Sequence, residues 1–408
     1  MYNLSIHILS FVLKIFALFN LKIKKGVEGR RQTFKILNES LSSKDKIIWF
    51  HCASLGEYEQ GLPVFEAIRK QYTSHKIVLT FFSPSGYEIR KNTPIADVVT
   101  YLPLDTKTNA KHFLNIVNPE FTVFVKYDIW PNILNELKRR QGRAILVSAL
   151  FRQNHSYFKW YGSHLKKALQ AFEHFFVQNE DSKQLLKSIH ITNVTVSGDT
   201  RYDRVSNQLV QQNDLDYISA FKQDSLCIVI GSSWPEDEAI ILPYINKKAS
   251  EQLKFIIAPH NVNKTQIENI TKKLTVKAVL FSELEHKSVT DASVFILDTI
   301  GVLTKTYSYA DIAYVGGAMG TTGLHNILEP AVFGVPIIIG QHHSKFPEAK
   351  AMIENEGVLS VKNKENLEKE LESLVNSSEK RIRLGTKNAD FIKKNKGAVN
   401  QIMDYIRI

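Results

Sequence analysis

Polar side chains that could do acid–base chemistry follow apolar runs in the first half of the chain. Glu57 comes shortly after the run Ile47–Cys52, and Asp128 comes shortly after Phe121–Val125. Arg201 follows a third apolar run in the same way. A carboxylate can take a proton from a hydroxyl group, and a nearby cation can stabilise charge that develops during a displacement. These three residues are therefore candidates for catalysis at one edge of a sheet.

Each of the three also has a purely structural interpretation. Ser54 and Glu57 have the spacing of a capping box, in which both side chains bond to backbone amides at a helix start. Asp128 precedes Pro131, a residue type that often occupies the first position of a helix, and could cap that helix. Arg201 could be a solvated surface cation. The residue pattern leaves both interpretations open at each position.

A glycine-rich stretch in the second half, residues 315–331, predicts a loop that binds phosphate. It leads toward a helix whose first turn would present Asn326 and its backbone amides. Glu329 lies one turn further on the same side, where its carboxylate could accept hydrogen bonds from a ribose diol. Pro259-His260 also follows an apolar run directly. The alternative for the stretch is a structural turn with a solvated Glu329.

Several common catalytic motifs are absent from the sequence. It contains no GxGxxG after a first strand, no Walker A pattern, no HExxH and no GxSxG. Asp214-Leu215-Asp216 has the spacing of a metal–nucleotide clamp, but its polar surroundings indicate a helix N-cap. Cys52 and Cys227 belong to no CxxC or Cys/His cluster, which favours a reducing compartment. We expect no catalytic metal ion and no cofactor.

Short apolar runs alternate with longer amphipathic segments from Ile47 onward, which is typical of parallel α/β sheets. The first series of predicted strands is Ile47–Cys52, Lys76–Phe82, Val98–Tyr101, Phe121–Val125, Ala144–Ala149, His174–Val177 and Asn193–Val196. A polar stretch follows, and the second series is Leu226–Ile230, Phe255–Ala258, Ala278–Phe281, Val294–Leu297, Ile312–Val315, Val335–Ile339 and Val358–Val361. The pattern predicts two Rossmann-like domains, residues 26–205 and 206–408, that face a cleft.

Residues 1–25 are predicted to associate with a membrane. The segment Leu4–Leu21 is strongly apolar, but His7, Lys14 and Asn20 interrupt it, so its uninterrupted part is shorter than the roughly 20 residues of a spanning helix. Lys and Arg residues cluster directly after it and would hold this flank against anionic head groups on the cytoplasmic side. The segment could instead be a buried first helix of the N-terminal domain.

The formal net charge of +11 is compatible with nucleic acid, an anionic membrane or anionic substrates. A nucleic-acid-binding protein would be expected to show a basic patch interleaved with exposed aromatic residues or a recognisable module. The sequence shows neither feature. We therefore expect no nucleic-acid partner.

Seven motifs occur along the chain in the order SLGEYEQ, KYDIWPN, SGDTRYD, GSSWPEDE, APHN, GGAMGTTGLHNILEPA and GVPIIIG. Together they resemble the 3-deoxy-D-manno-octulosonic acid (Kdo) transferases of lipopolysaccharide synthesis, over nearly the whole chain to about Val361. The resemblance implies a GT-B glycosyltransferase. Such an enzyme would move Kdo from CMP-Kdo to the acylated disaccharide lipid A precursor at the cytoplasmic face of the inner membrane, with the N-terminal segment as its anchor.

The resemblance also implies roles for individual residues. Glu57 stands at the position of the family's proposed general base, so it would take the proton in an inverting, metal-independent displacement. Asp128 keeps the second acid of the family's E-x-E-x-W-P motif, whereas Lys126 stands in place of the first. Arg201 falls where the family has a basic residue, which would stabilise charge in the transition state.

For the CMP moiety, the resemblance points to three segments, which are Pro259 and His260, then Ile300, Gly301 and Val302, then Asn326, Ile327, Leu328 and Glu329. His260 stands where the family often has arginine, and Leu324 stands where glycine is usual. The alternative function is another GT-B nucleotide-sugar glycosyltransferase or a nucleotide-sugar epimerase. Either would share the two domains but would need no N-terminal apolar segment.

Overall fold

The computed structural model describes residues 2–408, which form two compact α/β units. The first unit ends at Arg204 and also includes Lys396–Ile408, and the second unit is Val205–Asn395. Each unit is built on one sheet of seven strands, all of them parallel. The prediction of two parallel sheets is confirmed, and every run that was predicted as a strand contributes one.

The strands of the first sheet are short apolar runs that are buried on both faces, as parallel strands between two layers of helices are. They are β1 (Ile47–Cys52), β2 (Lys76–Phe81), β3 (Val98–Tyr101), β4 (Phe121–Val125), β5 (Arg143–Ala149), β6 (His174–Val177) and β7 (Val194–Val196). Their order in the sheet is β3-β2-β1-β4-β5-β6-β7. The chain reverses direction across the sheet between β1 and β4, and ligands of such sheets bind at this switch point.

The helices of the first unit begin at residues that can accept or dispense with the free amides of a helix start. Thr106 and Asn179 each accept a backbone amide at an N-cap, and Pro131 takes the first helical position of its helix. The helices are α1 (Tyr2–Phe16), α2 (Leu21–Ser40), α3 (Leu55–Gln71), α4 (Pro84–Arg90), α5 (Lys107–Val117), α6 (Pro131–Arg139), α7 (Ser163–Leu169), α8 (Glu180–Lys187) and α9 (Thr200–Asn207).

The second unit has the same architecture with seven strands. Three strands precede the switch point along the chain in the first unit, whereas four do so in the second. Its strands are β8 (Leu226–Ser233), β9 (Leu253–Pro259), β10 (Ala278–Leu280), β11 (Val294–Ile296), β12 (Ile312–Val315), β13 (Ile337–Gly340) and β14 (Val358–Val361). The order β10-β11-β9-β8-β12-β13-β14 places the switch point between β8 and β12. The remaining helices are α10 (Asp216–Lys222), α11 (Pro235–Lys248), α12 (Lys264–Lys273), α13 (Leu303–Thr306), α14 (Leu328–Ala331), α15 (Pro347–Glu354), α16 (Lys364–Val375), α17 (Ser378–Asn395) and α18 (Ala398–Tyr405).

Alternation along β1 decides which side chains reach each face of the first sheet. Trp49 packs in one hydrophobic cluster with Phe124, and Phe50 packs in the opposite cluster with Phe65. His51 follows two residues after Trp49 and therefore lies on the same face as the indole. A polar ring is thereby buried beside an apolar cluster, where it needs hydrogen-bond partners.

The C-terminal residues return to the first unit, which corrects the prediction that residues 206–408 form a single domain. Gly397 (φ 116°) follows α17, and the carboxylate of Asp203 accepts hydrogen bonds from the amides of Gly397 (2.9 Å) and Ala398 (3.1 Å). Ile402 and Ile406 are then fully buried in a cluster of the first unit. The amphipathic pattern of this segment predicts a helix but does not indicate which core receives its apolar face.

The N-terminal residues form two helices, and α2 runs through the predicted boundary at residue 25. The hydroxyl of Tyr2 donates to Asp105 Oδ2 (2.8 Å), and Ile6 is buried. Other apolar side chains of α1, Ile8 and Phe11 among them, are exposed. No helix within residues 2–408 has both the length and the apolar character that crossing a membrane requires. The membrane anchor therefore stays a prediction.

Candidate active site

The switch point of the first sheet brings two predicted catalytic residues to one edge. Glu57 lies in the first turn of α3, directly after β1, and Asp128 lies in the loop after β4. Both carboxylates act on the same buried thiol. Burial is the largest cause that raises the pKa of Cys52, and the negative charges of Glu57 and Asp128 raise it further. The two carboxylates therefore both lie near the end of β1.

Asp128 is held by a chain of hydrogen bonds that begins inside the sheet. Trp49 Nε1 donates to Thr80 Oγ1 (2.8 Å), and this hydroxyl lies 2.8 Å from His51 Nδ1. His51 Nε2 lies 2.6 Å from Asp128 Oδ2. Trp130 Nε1 donates to the same oxygen at 2.8 Å. Two donors thus converge on one oxygen of the carboxylate and fix its orientation.

This chain has one direction because Thr80 has a single proton to donate. Its hydroxyl accepts from the indole, and His51 Nδ1 is closer to it than the carbonyl oxygen of Phe50, which lies at 3.4 Å. We therefore assign the threonine proton to Nδ1, which leaves Nε2 protonated and donating to Asp128. Trp130 Nε1 also lies 3.0 Å from His51 Nε2, but it is closer to Asp128 Oδ2 (2.8 Å), so we assign the indole proton to the carboxylate. His51 is fully buried, whereas the Asp128 side chain is 19% exposed. The other oxygen of Asp128, Oδ1, has no hydrogen bond from residues 2–408 and can accept one from a ligand.

Ser54 and Glu57 do not form the capping box that their spacing allows. Ser54 occupies the N-cap position of α3, but its side chain accepts no hydrogen bond from a backbone amide. Its hydroxyl instead donates to Oε2 of Glu57. The other oxygen, Oε1, accepts no hydrogen bond from residues 2–408. The serine therefore orients this carboxylate and leaves one oxygen for an incoming hydroxyl group.

A pocket of 350 Å³ lies beside Asp128 in the first unit, and its polar lining suits a sugar. Tyr127, His155 and Tyr157 contribute aromatic faces and polar atoms to its wall. Lys126 precedes these residues with φ at 70°, a left-handed conformation that is uncommon for a residue with a side chain. Its ammonium lies 5.2 Å from the ring centroid of Tyr127. Lys126 thus adds a cation to this edge.

Arg201 lies at the start of α9, after the edge strand β7. Its guanidinium pairs with Asp199, with Nε at 2.9 Å and Nη2 at 2.8 Å from Oδ2. The helix that carries it is bonded to α3, because Thr200 donates to the carbonyl oxygen of Gln60 and Arg204 pairs with Glu59 (2.6 Å). The charge of Arg201 is thus balanced by a carboxylate of its own loop.

Backbone groups of glycine residues, rather than charged side chains, line the switch point of the second sheet. Gly316 and Gly317 follow β12, and Gly317 has φ at 95°, which glycine adopts at low cost. A Cβ on Gly316 would lie 2.4 Å from the carbonyl oxygen of Ser232, near the end of β8, so the loop after β12 and the end of β8 approach too closely for a side chain. Asp237 accepts hydrogen bonds from Gly317 N (2.8 Å), Trp234 N (2.9 Å) and the hydroxyl of Tyr314 (2.7 Å). Burial raises the pKa of this carboxyl group, and the hydrogen bonds oppose that effect.

Three aromatic rings form a neutral cluster at the same edge. Trp234 stacks on His260 with ring centroids 4.4 Å apart, and His260 lies 4.5 Å from the ring of His325. Trp234 Nε1 donates to His325 Nε2 (3.2 Å), so that this nitrogen carries no proton. Burial lowers the pKa of His325 to about 4, with a further contribution from His260, and burial lowers the pKa of His260 as well. The cluster thus offers an uncharged aromatic face.

The three segments predicted to bind CMP lie at the carboxyl edge of the second sheet. Pro259-His260 comes at the end of β9, Ile300–Val302 follows β11, and Asn326–Glu329 lies in the connection after β12. The ring of His260 contacts the residue that precedes Asn326. Thr304, two residues after the second segment, donates to Glu329 Oε2 (2.9 Å). Side-chain contacts therefore join the first segment to the residue before the third, and the third segment to a residue shortly after the second.

The helix after the glycine-rich loop starts later than predicted. α14 begins at Leu328 and has four residues, so Asn326 precedes it instead of lying in its first turn. Asn326 Oδ1 accepts from the amide of Leu328 (3.2 Å), and Nδ2 donates to Glu329 Oε1 (3.1 Å). Glycine residues at left-handed φ values, Gly317 and Gly323 among them, keep the preceding segment non-helical. Glu329 accordingly lies in the first turn of this short helix, where Asn326 and Thr304 bond to its carboxylate, so it is not solvated on all sides.

Sequence reasoning did not single out His51, Thr80 and Asp237. The first two carry a readable signal, because a polar residue inside an apolar strand run is buried and must find a partner. Asp237 carries a weaker one, since it is one of three consecutive acidic residues after Pro235 and the sequence does not indicate which of them turns inward. The partners of all three come from other strands or loops, which sequence spacing does not reveal.

The amino-acid sequence is similar to those of known transferases. Residues 28–204 match the family described as 3-deoxy-D-manno-octulosonic-acid transferase (kdotransferase). A 3-deoxy-D-manno-octulosonic acid transferase of Haemophilus influenzae is 28% identical over 88% of this chain and 86% of that protein. The transferase of the same name from Aquifex aeolicus is 28% identical over 86% of this chain and 92% of that protein. Both matches extend over the two units.

Solved structures with the same architecture include enzymes that act on nucleotide sugars. The UDP-GlcNAc 2-epimerase from Neisseria meningitidis, bound to UDP-GlcNAc, aligns with a TM-score of 0.63 at 16% identity, over 88% of this chain and 98% of that chain. The UDP-GlcNAc 2-epimerase from Methanocaldococcus jannaschii aligns with a TM-score of 0.55 at 15% identity, over 86% and 99% of the two chains. At this identity the likeness shows the fold alone.

Proposed function

Because these similarities identify the chain as a member of the Kdo transferases, we propose that it transfers Kdo from CMP-Kdo to a hydroxyl group of the acylated lipid A precursor. The observation that carries the proposal is that transferases of this name match the chain across both units at 28% identity. The two carboxylates at the first switch point and the glycine-rich loop at the second provide the parts that such a transfer requires. Donor and acceptor are inferred from the family.

We assign the proton transfer to the first unit. Glu57 Oε1 takes the proton of the acceptor hydroxyl while the oxygen attacks the anomeric carbon of Kdo. The bond from that carbon to the CMP phosphate breaks, CMP leaves as an anion, and attack from the opposite side inverts the configuration. Asp128 Oδ1 accepts a hydrogen bond from the acceptor sugar and holds the hydroxyl in line, which lowers the cost of orienting the two reactants.

We assign the CMP moiety to the second unit. The backbone amides of the glycine-rich loop can donate to the phosphate without bringing a competing charge. The stacked rings of Trp234 and His260 offer a face for the base. A carboxylate has about four acceptor sites, so Glu329 keeps room for a ribose hydroxyl beside its bonds to Asn326 and Thr304.

The proposal places the enzyme at the cytoplasmic face of the inner membrane, held there by residues 1–25. α1 has 15 residues, fewer than the roughly 20 that a spanning helix needs, which favours an interfacial position. The exposed apolar side chains that support this position are Leu4, Ile8, Leu9, Phe11, Val12, Ile15, Phe16, Leu18, Phe19 and Leu21. Lys and Arg residues that follow α1 would contact anionic head groups.

Mass spectrometry of the acceptor lipid tests the proposal directly. The full-length protein is incubated with CMP-Kdo, generated in place, and a tetra-acylated lipid A precursor, and a mass gain of one or more Kdo units is expected. Glu57→Gln keeps the size of the side chain but removes the base, so we expect transfer to fall by about 10³-fold or more with CMP affinity unchanged. Glu66→Gln, on the exposed side of the same helix, is the matched control and should remain active.

The outcomes separate the parts of the proposal. An active Glu57→Gln enzyme would overturn the base assignment while leaving the transferase intact. A folded wild-type protein that binds CMP but adds no mass to the lipid would contradict the acceptor. Turnover of UDP-GlcNAc in place of CMP-Kdo would instead favour the epimerase alternative, for which the structural neighbours provide the precedent.

A further inference from the structure

A cavity lies between the two N-terminal helices and the body of the first unit. Its volume is 270 Å³, close to the lower end of ligand pockets at about 300 Å³. Apolar side chains of three elements line it, namely Leu13 of α1, Val27 and Phe34 of α2, and Pro103 and Leu104 of the loop after β3. An apolar slot of this size, open at one end, suits part of a hydrocarbon chain more than it suits a sugar or a nucleotide.

Cations border the same cavity. Lys14, Arg30 and Arg31 contribute to its lining. Lys14 and Arg31 are exposed, and neither forms an ion pair with a carboxylate among residues 2–408. Arg30 is held inside by bonds from its guanidinium to the carbonyl oxygens of Gly26 (2.9 Å) and Phe82, while its buried Nε has no partner. An apolar slot with unpaired cations at its mouth matches an anionic amphiphile.

Packed rings connect this cavity to the candidate catalytic edge. The guanidinium of Arg30 lies 4.3 Å from the ring centroid of Phe82. Phe82 packs on Trp130 with centroids 4.6 Å apart, and Trp130 donates to Asp128. The cavity and the carboxylate thus lie on two sides of one ring pair. Arg30, in the cavity wall, is therefore linked through two rings to the residue that we assign to the acceptor.

We propose that this cavity binds one acyl chain of the phosphorylated acceptor lipid, with a phosphate of the lipid at Lys14 and Arg31. The proposal rests on the transferase function and extends it to a subsite for the lipid portion of the acceptor. The contact of Arg30, in the cavity wall, with the ring pair beside Asp128 favours the acceptor over bulk membrane lipid as the occupant. The N-terminal helices then contribute to substrate recognition as well as to membrane contact.

The test fills the cavity and compares two acceptors in detergent micelles. Leu13→Trp should raise KM for the acylated, phosphorylated disaccharide by about tenfold, because the bulky ring displaces part of the chain. KM for the fully deacylated disaccharide phosphate and for CMP-Kdo should not change. Ile89→Trp is the matched control, since Ile89 is an exposed apolar residue of the same unit that lies outside the cavity. It should leave both acceptors unaffected.

Two further variants guard against misfolding of Leu13→Trp. Leu13→Ala enlarges the cavity and should shift the preference toward acceptors with longer chains, a change that loss of folding does not produce. Arg31→Gln should raise KM for the phosphorylated acceptor about fivefold and leave KM for a dephosphorylated one unchanged. Lys70→Gln removes one exposed cation of the same unit without touching the cavity and controls for net charge.

The possible results separate this proposal from the transferase function. If Leu13→Trp changes KM equally for acylated and deacylated acceptors, or if Leu13→Ala leaves chain preference unaltered, the subsite is wrong while transfer stands. If the wild-type protein transfers Kdo to neither acceptor, the proposed function fails. Binding of the acylated disaccharide without donor, measured by calorimetry, then decides the cavity alone, because equal affinity of wild type and Leu13→Trp overturns it.

Discussion

Each unit places a tryptophan after a strand of its switch point, and each indole lies within hydrogen-bond distance of a histidine Nε2, but only the indole of the first unit also reaches a carboxylate. In the first unit Trp130 donates to the carboxylate of Asp128 (2.8 Å). In the second unit Trp234 donates to the unprotonated ring nitrogen of His325 (3.2 Å). Each tryptophan directly precedes a proline that takes the first position of a helix, so the backbone solution is the same. The indole in the first unit therefore donates to a charged carboxylate, and the indole in the second unit donates to a neutral imidazole.

The buried carboxylates show the same division of labour. Asp105 in the first unit accepts the amides of Asn132 and Ile133 (2.9 Å each) and so completes the start of α6 from a neighbouring loop. Asp237 in the second unit lies on its own helix and accepts the amide of Gly317 from the loop at the switch point. Asp105 bonds to a helix start, so the edge of the first sheet is left to the partly exposed carboxylates of Glu57 and Asp128. Asp237 instead holds the loop at the edge of the second sheet. We therefore propose that two similar sheets serve proton transfer in the first unit and anion binding in the second.

The largest test of this comparison removes the charged acceptor. Asp128→Asn keeps the shape of the side chain but loses the negative charge, and we expect kcat for Kdo transfer to fall by about 10² to 10³-fold. CMP affinity, which we assign to the second unit, should not change. Steady-state kinetics and calorimetry with CMP measure the two quantities separately. Asp181→Asn, an exposed acid in the first turn of α8, is the control.

Two results would contradict the division between the units. Loss of CMP affinity in Asp128→Asn would mean that the charged edge also serves the nucleotide. Full activity in the same variant would mean that the hydrogen bonds from His51 and Trp130 serve the fold alone. A thermal melt of each variant excludes the trivial case in which the protein has unfolded.

The sheets were predictable from the sequence because their strands are buried on both faces. Such strands are nearly continuous apolar runs, as Ile47–Cys52 is, and the run Phe255–Ala258 located β9, although the strand itself extends over Leu253–Pro259. The order of β10 and β11 and the return of the last helix were not predictable, because both depend on which surface a segment meets. Ile402 is apolar at a helical spacing in either case, and the sequence does not say that the first unit receives it.

The sequence predicted the location of the candidate site but not the hydrogen bonds that orient its residues. Glu57 and Asp128 follow strands that proved to be neighbours, so the rule for switch points located them. Their hydrogen-bond partners came from elsewhere, since His51 reaches Asp128 across 77 positions of the sequence. Lys126 illustrates the remaining gap, because its left-handed backbone is a property of the turn and leaves no sign in the residue type.

A pH titration tests whether the second unit holds the ring of His325 neutral. The pKa of His325 is about 4 in the folded protein against about 6.5 in the unfolded chain, so between these values the unfolded state binds more protons. The free energy of unfolding should therefore fall as pH drops from about 6.5 to 4, by about 2 kcal/mol for this residue. Denaturant unfolding at each pH, followed by Trp fluorescence, measures the change.

Replacement of the ring isolates this contribution. His325→Gln should flatten the decline between pH 6.5 and 4, and His286→Gln, at an exposed histidine of the same unit, should leave it as in the wild type. If the decline is the same in all three proteins, the ring of His325 is not held neutral by burial. The aromatic cluster at the carboxyl edge of the second sheet would then not be uncharged.

The smallest expected effect compares two residues that occupy N-cap positions, one in each unit. Asn263 accepts the amide of Gln266 (2.9 Å) at the start of α12, whereas Ser54 donates its proton to Glu57 and accepts no amide. Asn263→Ala should cost about 1 kcal/mol of stability with unchanged kcat. Ser54→Ala should cost less than about 0.5 kcal/mol but lower kcat about tenfold, because the base loses its orientation.

Asn263→Ala is expected to lower stability, and Ser54→Ala is expected to lower kcat. The pair therefore decides between a structural and a catalytic role for Ser54. Equal losses of stability, with kcat unchanged in both, would return Ser54 and Glu57 to the capping box that their spacing suggests. A loss of kcat in Ser54→Ala alone would mean that the helix start of the first unit gives up a cap in order to hold its base. The second unit keeps its cap at α12, where the structure assigns no reacting group.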